Sequence, residues 1–389
     1  HLVDVEKRAY RESQLQDIYD AARIVEGLDN IHFFQRPMVA RDIADPLELD
    51  LNTLYACVTG TSKHIGTSFT VRENVKPALD MLHAIAGGEA NFRARPFVSS
   101  SSPFVVSPMK FAEDACGVME ECVKGSIPIL LLSTGQAGTT APAPLVGAVV
   151  QAVAEVLAGL VYVNALKPGH PAMLGTWPFV SDPRSGAMAG GSAEQALLTA
   201  ACAQMAQFYD LPGASAAGMS DSKLPDIQSG YEKGTTNVMA GLSGLDLVYE
   251  AAGMHASLLG FCLESLIVDN DMLGHCQRCV RGIDASEAAL SADAIAEVCL
   301  KGPGHYLGSG EPSRAVPTDY FYPAIGDRLS PREWCEKGKP DLLQKAVAEK
   351  KRILAERFPR HVSKPIDDRL RARFGDLIKL PRSAMGWRS

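Results

Sequence analysis

His275-Cys276-Gln277-Arg278-Cys279 comes nearest to a metal-ligand spacing in this chain. A zinc site takes three or four ligands, and neither a second Cys-x-x-Cys nor a His-x-x-x-His completes one. The two thiols are instead expected on one face of a helix, at i and i+3. Lys167 and Lys223 follow apolar runs and carry the amine for a Schiff base, although surface charge is the commoner fate of a lysine. No Gly-x-Ser-x-Gly elbow and no Gly-x-x-x-x-Gly-Lys-Ser/Thr loop is present, which argues against a serine hydrolase and a phosphate-cradling enzyme. His255, in Gly253-Met254-His255-Ala256-Ser257, lies just beyond the last strand-like run, where a catalytic group could sit. Asp269-Asn270-Asp271 reads as a cluster that caps and anchors helices rather than one that binds a cation.

Four further segments combine small polar residues with aromatics. They run from Ser99 to Phe104, Ser133 to Thr140, Gly175 to Phe179 and Ala216 to Lys223. Small residues keep a pocket floor open, and Trp177, Phe179, Phe104 and Tyr231 would give it aromatic walls. Such segments need a scaffold that brings them to one face.

The chain supplies one. Short apolar runs at Ile31–Ala40, His64–Thr70, Phe97–Ser101, Ile127–Ser133, Ala172–Trp177, Ala214–Gly218 and Leu245–Ala251 alternate with helical patterns. The helices are expected over Pro46–Thr59, Arg72–Ala86, Met109–Lys124, Gly147–Ala165, Ser192–Tyr209 and Glu232–Leu242. Ile127–Ser133 is apolar almost throughout, as a strand buried on both faces must be. Seven or eight βα units in series favour an α/β fold of the TIM (β/α)8 barrel type over an open sheet. No Gly-x-Gly-x-x-Gly follows the first strand, which weakens a dinucleotide-binding alternative. In a barrel, the four segments above become the loops at the carboxyl ends of the strands, where sites lie. Residues 31–300 would form the barrel, with helical extensions at 1–30 and 301–389.

Composition sets the outer limits. The 389 residues are 46% hydrophobic and 21% charged, with net charge −7. This excludes a disordered chain and a strongly basic nucleic-acid binder. Nine scattered cysteines read as reduced thiols in a cytoplasm rather than a secreted disulfide framework. The chain opens on His1 rather than Met, so an N-terminal part is expected to lie outside it. Leu145–Leu166 is apolar enough to suggest a membrane span, but Gln151, Glu155 and Asn164 fall on different faces, so a helix of the core or of an oligomer interface is expected. Glu336–Arg388 holds 15 basic and 7 acidic residues, leaving −15 on the remainder. That tail is read as a basic helical surface, solvated or docked on an acidic partner.

Longer blocks carry a resemblance. Asp221-Ser-Lys-Leu-Pro-Asp-Ile-Gln-Ser-Gly-Tyr-Glu-Lys233, Gly253-Met-His255, Glu264-Ser-Leu-Ile-Val-Asp-Asn-Asp271, Cys279-Val-Arg-Gly282 and Tyr320-Phe-Tyr-Pro-Ala-Ile-Gly-Asp-Arg328 with Trp334 occur in the order found in the trimethylamine methyltransferase family. The sequence resembles its non-pyrrolysine branch, typified by glycine betaine methyltransferases, since every residue is a standard one. The resemblance implies a TIM barrel that passes a methyl group from a methylated amine to cobalt(I) of a corrinoid (cobalamin) carried by a separate protein, with none tightly bound to this chain. Two departures bear on the pocket: 309–317 replaces a His-Thr-Leu-Glu-Asn-Phe-like stretch, and His255 stands where relatives often have Leu.

On that implication little acid–base machinery is needed. A quaternary ammonium already carries a neutral amine as leaving group, and it is held best by aromatic faces, each contributing about 0.5–2 kcal/mol. Trp177, Phe179, Phe104 and Tyr231 are the expected cage; His255, Gln136 and Lys223 are the expected donors to a substrate carboxylate. The nearest rivals are a zinc-dependent barrel acting on a thiol or methanol, a non-enzymatic quaternary-ammonium binder, and a Schiff-base aldolase.

Overall fold

A computed structural model describes residues 1–302, 304–306 and 319–387. Seven parallel strands alternate with seven helices: β1 (Phe33–Gln35), α1 (Pro46–Gly60), β2 (His64–Thr67), α2 (Val75–Ala86), β3 (Val98–Ser102), α3 (Glu113–Lys124), β4 (Ile129–Ser133), α4 (Leu145–Leu166), β5 (Ala172–Thr176), α5 (Ala193–Phe208), β6 (Gly213–Ala216), α6 (Ile227–Leu242), β7 (Leu247–Tyr249) and α7 (Leu263–Arg281). Each strand pairs with its sequence neighbour, so spatial order follows chain order from β1 to β7. The sheet curls into a nearly closed barrel. Among the described residues no backbone pairing joins β1 to β7, yet Phe33 and Tyr249 meet across that seam with ring centroids 4.8 Å apart.

Side-chain alternation explains the two layers. Ser133 turns outward, its hydroxyl donating to Glu155 of α4 at 2.6 Å. Leu130 and Leu132 therefore turn inward, where they crowd Gly175. In register with them lie Gly66, Ser99, Ser101, Ala214 and Ala216, an interior half-filled by small residues. A Cβ on Gly175 would lie 2.3 Å from the Leu131 carbonyl, so glycine is required there. The outward residues Ile129 and Leu131 are buried under the helices, where each such side chain contributes about 1.5–3 kcal/mol.

The helix boundaries have local causes. Asp45 caps α1 by accepting from the Glu48 amide at 2.9 Å, with Pro46 at its first position. The helix expected from Met109 starts instead at Glu113, because Val105–Val106 and Lys110–Phe111 pair as a short hairpin at the end of β3. The helix expected from Glu232 starts earlier, at Ile227, where Asp226 and Ser229 form a capping box.

The extensions wrap the barrel. Residues 1–30 are not helical throughout: Leu2–Asp4 and Ala9–Arg11 pair antiparallel before the helix Leu15–Val25. Buried Arg23 from that helix donates to the Leu354 and Arg357 carbonyls, fastening the C-terminal helix Leu342–Glu356. The basic tail docks on the chain's own acidic body through Lys350–Glu264, Lys351–Glu6, Arg373–Asp80 and Lys379–Glu48. Asp367 of the tail, fully buried, accepts from Tyr55 of α1 and pairs with Arg371 and Arg382. The stretch 309–317 lies outside the described residues.

Candidate active site

Three aromatics from distant parts of the chain meet inside the barrel. Trp177, one residue past β5, lies 5.2 Å from Tyr249 at the end of β7, and Tyr249 in turn contacts Phe33 at the start of β1. Trp177 is held by its amide, which donates to the Ser133 carbonyl at 2.9 Å. It is 6% exposed, and its indole Nε1 has no hydrogen-bond partner. A buried indole N–H normally finds one, so this donor is free for a bound molecule. Phe33 and Tyr249 were not singled out from the sequence. Aromatics inside strands read as ordinary β-formers, and only barrel curvature brings β1 and β7 together.

Polar groups surround the cluster. Ser99 of β3 hydrogen-bonds His64 of β2 at 2.9 Å. Burial drives the Tyr249 phenol well above its usual range, with Ser99 pulling it partly back. Burial also lowers the His64 pKa, keeping that ring neutral. A chain His64–Ser99–Tyr249 therefore crosses the interior without a net charge. Gln35 accepts from Ser101 at 3.4 Å and lies over Gly66, where a Cβ would be 1.8 Å from its Oε1. Beside the cluster, a cavity of about 370 Å³ fills the seam between β1 and β7, lined by Phe33, Gln35, Leu247, Asn237 and Glu250. Burial raises the Glu250 carboxyl to about 7, against the pull of the Arg36 guanidinium. Glu250 also has φ +61°, a left-handed backbone unusual outside glycine. Asn237 Oδ1, buried, has no partner.

The other residues expected at the site are more dispersed. Phe179 pairs in register with Gln136 in a two-residue parallel ribbon above β4 and β5; Gln136 Oε1 accepts from Ser181 at 2.7 Å. Both stand at the carboxyl ends of the strands, Phe179 two residues beyond Trp177. Phe104 is fully buried against Gly159 of α4 and Phe111, so it fills the wall instead of the mouth. Tyr231 is 60% exposed on α6. Lys223 is exposed, its ammonium on the Asp221 carbonyl at 2.7 Å. The structure does not bring these three into the aromatic cluster.

His255 lies in a second short sheet, paired with Phe261's strand, and not in the parallel barrel. It is fully buried, hydrogen-bonded to Ser265 at 2.7 Å, with Lys233 Nζ at 3.5 Å. Burial first and the Lys233 charge second push its pKa down to about 3, so the ring is neutral at physiological pH. Lys233, 2% exposed, pairs with Asp269 at 2.7 Å, and Asp269 also accepts from the Gly253 amide at 2.8 Å. Asp271 accepts from the Ala324, Ile325 and Gly326 amides, binding the Tyr320–Arg328 block to α7. The Asp269-Asn270-Asp271 trio is thus an anchor, with Asn270 holding Asn30. Cys276 and Cys279 share α7 as expected, one buried and one exposed, and no group of ligands suited to a metal occurs among the described residues.

Comparison with known proteins identifies a family for the chain. The family model for trimethylamine methyltransferase (MTTB) matches residues 1–376. Trimethylamine methyltransferase MttB of Methanosarcina thermophila is 33% identical over 352 residues, covering 90% of this chain and 71% of that protein. Glycine betaine methyltransferase of Desulfitobacterium hafniense is 30% identical over 364 residues, covering 93% and 75%. Among solved structures, Xanthomonas albilineans dihydropteroate synthase aligns with a TM-score of 0.40 and 12% identity, over 69% of this chain and 85% of that one. With the model match spanning nearly the whole length, the chain belongs to the trimethylamine methyltransferase family, and it is a methyltransferase of the α/β-barrel type.

Proposed function

We propose that this enzyme takes a methyl group from a quaternary or tertiary methylated amine, of the glycine betaine kind, and delivers it to the cobalt of a corrinoid held by a partner protein. The observation that carries the reading is the Phe33–Tyr249–Trp177 cluster, closed around a barrel interior of small residues. A quaternary ammonium donates no hydrogen bond, so aromatic faces are its natural seat. The neutral His64–Ser99–Tyr249 chain adds polarity without a competing cation. The free Trp177 N–H and the Gln136–Ser181 pair at the loops are placed for an acceptor such as a carboxylate.

The acceptor is a second substrate: cobalt(I) would supply the nucleophile, a quaternary amine would leave neutral with the C–N bond's electron pair, and a tertiary amine would have to react as its protonated ammonium form to leave as a neutral amine. What this chain must do is seat the cation, aim one methyl toward the mouth and exclude water. The rim suits a large planar partner. Gly138 has φ +94° and open space where a Cβ would be, and Val106 and Met109 stand exposed on the hairpin that follows β3. Trp177→Ala is expected to weaken binding of a quaternary amine at least about tenfold, corresponding to about 1.4 kcal/mol. Tyr249→Ala should do the same, and Tyr231→Ala should have no effect. Calorimetric titration with glycine betaine and choline measures this; unchanged affinity in both Trp177→Ala and Tyr249→Ala would remove the cluster from the site.

A further inference from the structure

The seam cavity between β1 and β7 carries two polar groups that the aromatic cluster leaves unused. Asn237 of α6 is 4% exposed and lines it. Both hydrogens of its amide nitrogen are taken, by the Lys233 carbonyl at 3.0 Å and the Ala251 carbonyl at 3.1 Å. Turning the amide over would break both bonds, so the oxygen is fixed as the free end, and Oδ1 has no partner. A polar atom buried this way is normally paired. Glu250 precedes Ala251 in the chain and lines the same cavity. Gly218 makes room for this junction: a Cβ there would lie 2.5 Å from the Ala251 carbonyl oxygen and 2.6 Å from Asn237 Nδ2.

Both groups ask for a donor, since an amide oxygen and a carboxylate only accept. Arg36, the cation that acts on Glu250, donates instead to Ser68 Oγ at 2.9 Å. Of the other titratable groups lining the cavity, His32 is exposed, Asp246 is exposed and holds the Gly213 amide at 2.8 Å, and burial pushes the Cys276 thiol up to about 11, leaving it neutral. An ammonium that still carries N–H bonds satisfies the two acceptors. Phe33, shared between the cavity and the cluster, offers a ring face to its methyl groups. A quaternary ammonium has no N–H to give and gains nothing from this pair. We propose that the seam cavity receives the demethylated amine, Glu250 giving its carboxyl proton to the nitrogen that has lost its methyl and Asn237 Oδ1 accepting a further N–H where the amine has one. The proton runs downhill: burial holds the Glu250 acid up to about 7, whereas an alkyl amine keeps its proton to about 10, as lysine does. The lone pair left by the broken C–N bond takes the proton, and the pair becomes carboxylate and ammonium. The proton hand-over rests on the methyl-transfer reading above; the preference for N–H does not.

Calorimetric titration of the full chain with tetramethylammonium, trimethylammonium and dimethylammonium chlorides tests the site, with no cobalamin present. These ions share one charge and differ in carrying zero, one and two N–H bonds. At about pH 6, below the Glu250 midpoint, pairing with an N–H ion must turn the acid into carboxylate. Binding of dimethylammonium to wild type should therefore release about one proton, read as a binding heat that changes between buffers of different ionisation enthalpy. Tetramethylammonium should release none. Glu250→Gln, which keeps the shape of the neutral acid, should weaken dimethylammonium and trimethylammonium at least about tenfold, abolish the proton release and leave tetramethylammonium unchanged. Dimethylammonium that does not bind, binds wild type without proton release, or loses no more affinity than tetramethylammonium in Glu250→Gln would overturn the proposal. Because no methyl is transferred in this titration, its failure leaves the methyl-transfer reading standing, and that reading fails separately if no methylcobalamin forms.

Discussion

Asp269→Asn is expected to destabilise the protein by about 3–5 kcal/mol, the cost of leaving one partner of a buried ion pair uncompensated. The geometry makes the upper part of that range apt. Lys233 is 2% exposed, its ammonium is 2.7 Å from Asp269, and neutral His255 lies 3.5 Å away. Asp269 also accepts from the Gly253 amide, and the Asn237 side-chain amide donates to the Lys233 carbonyl at 3.0 Å and to the Ala251 carbonyl at 3.1 Å. Together these bonds hold the segment from Glu250 to His255 that follows β7 and Tyr249. Replacing both partners by apolar residues, Lys233→Met with Asp269→Leu, should cost less than the single change, within about 2 kcal/mol of wild type. Urea unfolding followed by tryptophan fluorescence and circular dichroism measures both. If Asp269→Asn lies within about 0.5 kcal/mol of wild type, or the double variant is worse than the single one, the pair does not secure this segment.

Other expectations follow from single contacts. Gly159→Ala should cost about 1–3 kcal/mol by overpacking, since the new Cβ would sit 2.4 Å from the Phe104 ring; adding Phe104→Leu should recover most of the loss, as thermal melting would show. Glu250 is held protonated up to about 7, so the native state binds more protons than the unfolded chain between roughly pH 4.5 and 7 and stability falls as pH rises through that window. Glu250→Gln should flatten this fall, by about 3 kcal/mol at most; a pH series of unfolding midpoints that keeps the same slope in the variant would contradict it.

Much of the scaffold was legible because its signals are local. Five of the seven strand-like runs contain a whole barrel strand, Phe97–Ser101 and Ala214–Gly218 each miss one residue of theirs, and the strand within the largely apolar Ile127–Ser133 run is buried throughout. Boundaries slipped where pairing intervened, as at the Val105–Phe111 hairpin, or where a cap was passed over, as at Asp226-x-x-Ser229. Leu145–Leu166 lies on the barrel wall with one face covered and the other outward, so its apolar composition reflects two different surroundings. The basic tail gave no hint of its partners, because Asp80, Glu48 and Glu264 are far from it in sequence.

The candidate site was less legible for a physical reason. Trp177 could be found from its Gly-Thr-Trp-Pro loop, but its neighbours Phe33 and Tyr249 sit in strands where an aromatic needs no functional explanation. Phe104 and Tyr231 have the same residue type with opposite fates, one sealed under Gly159 and the other on the outer face of α6. His255 follows the last strand, as a catalytic histidine might be placed, yet the chain turns there into a separate antiparallel pair and carries the ring beneath Lys233. Side-chain direction, set by the curl of the sheet, separates these cases.

The central claim is that the aromatic cluster presents the methyl of an ammonium to an external cobalt. Its most direct test is incubation of the purified enzyme with cob(I)alamin and trideuteromethyl-labelled glycine betaine, choline or trimethylamine, with mass spectrometry of the cobalamin product. The account predicts trideuteromethylcobalamin from at least one of these amines, formed with wild type and lost with Trp177→Ala. Absence of labelled methylcobalamin from every amine, under conditions where calorimetry shows the amine bound, would contradict it.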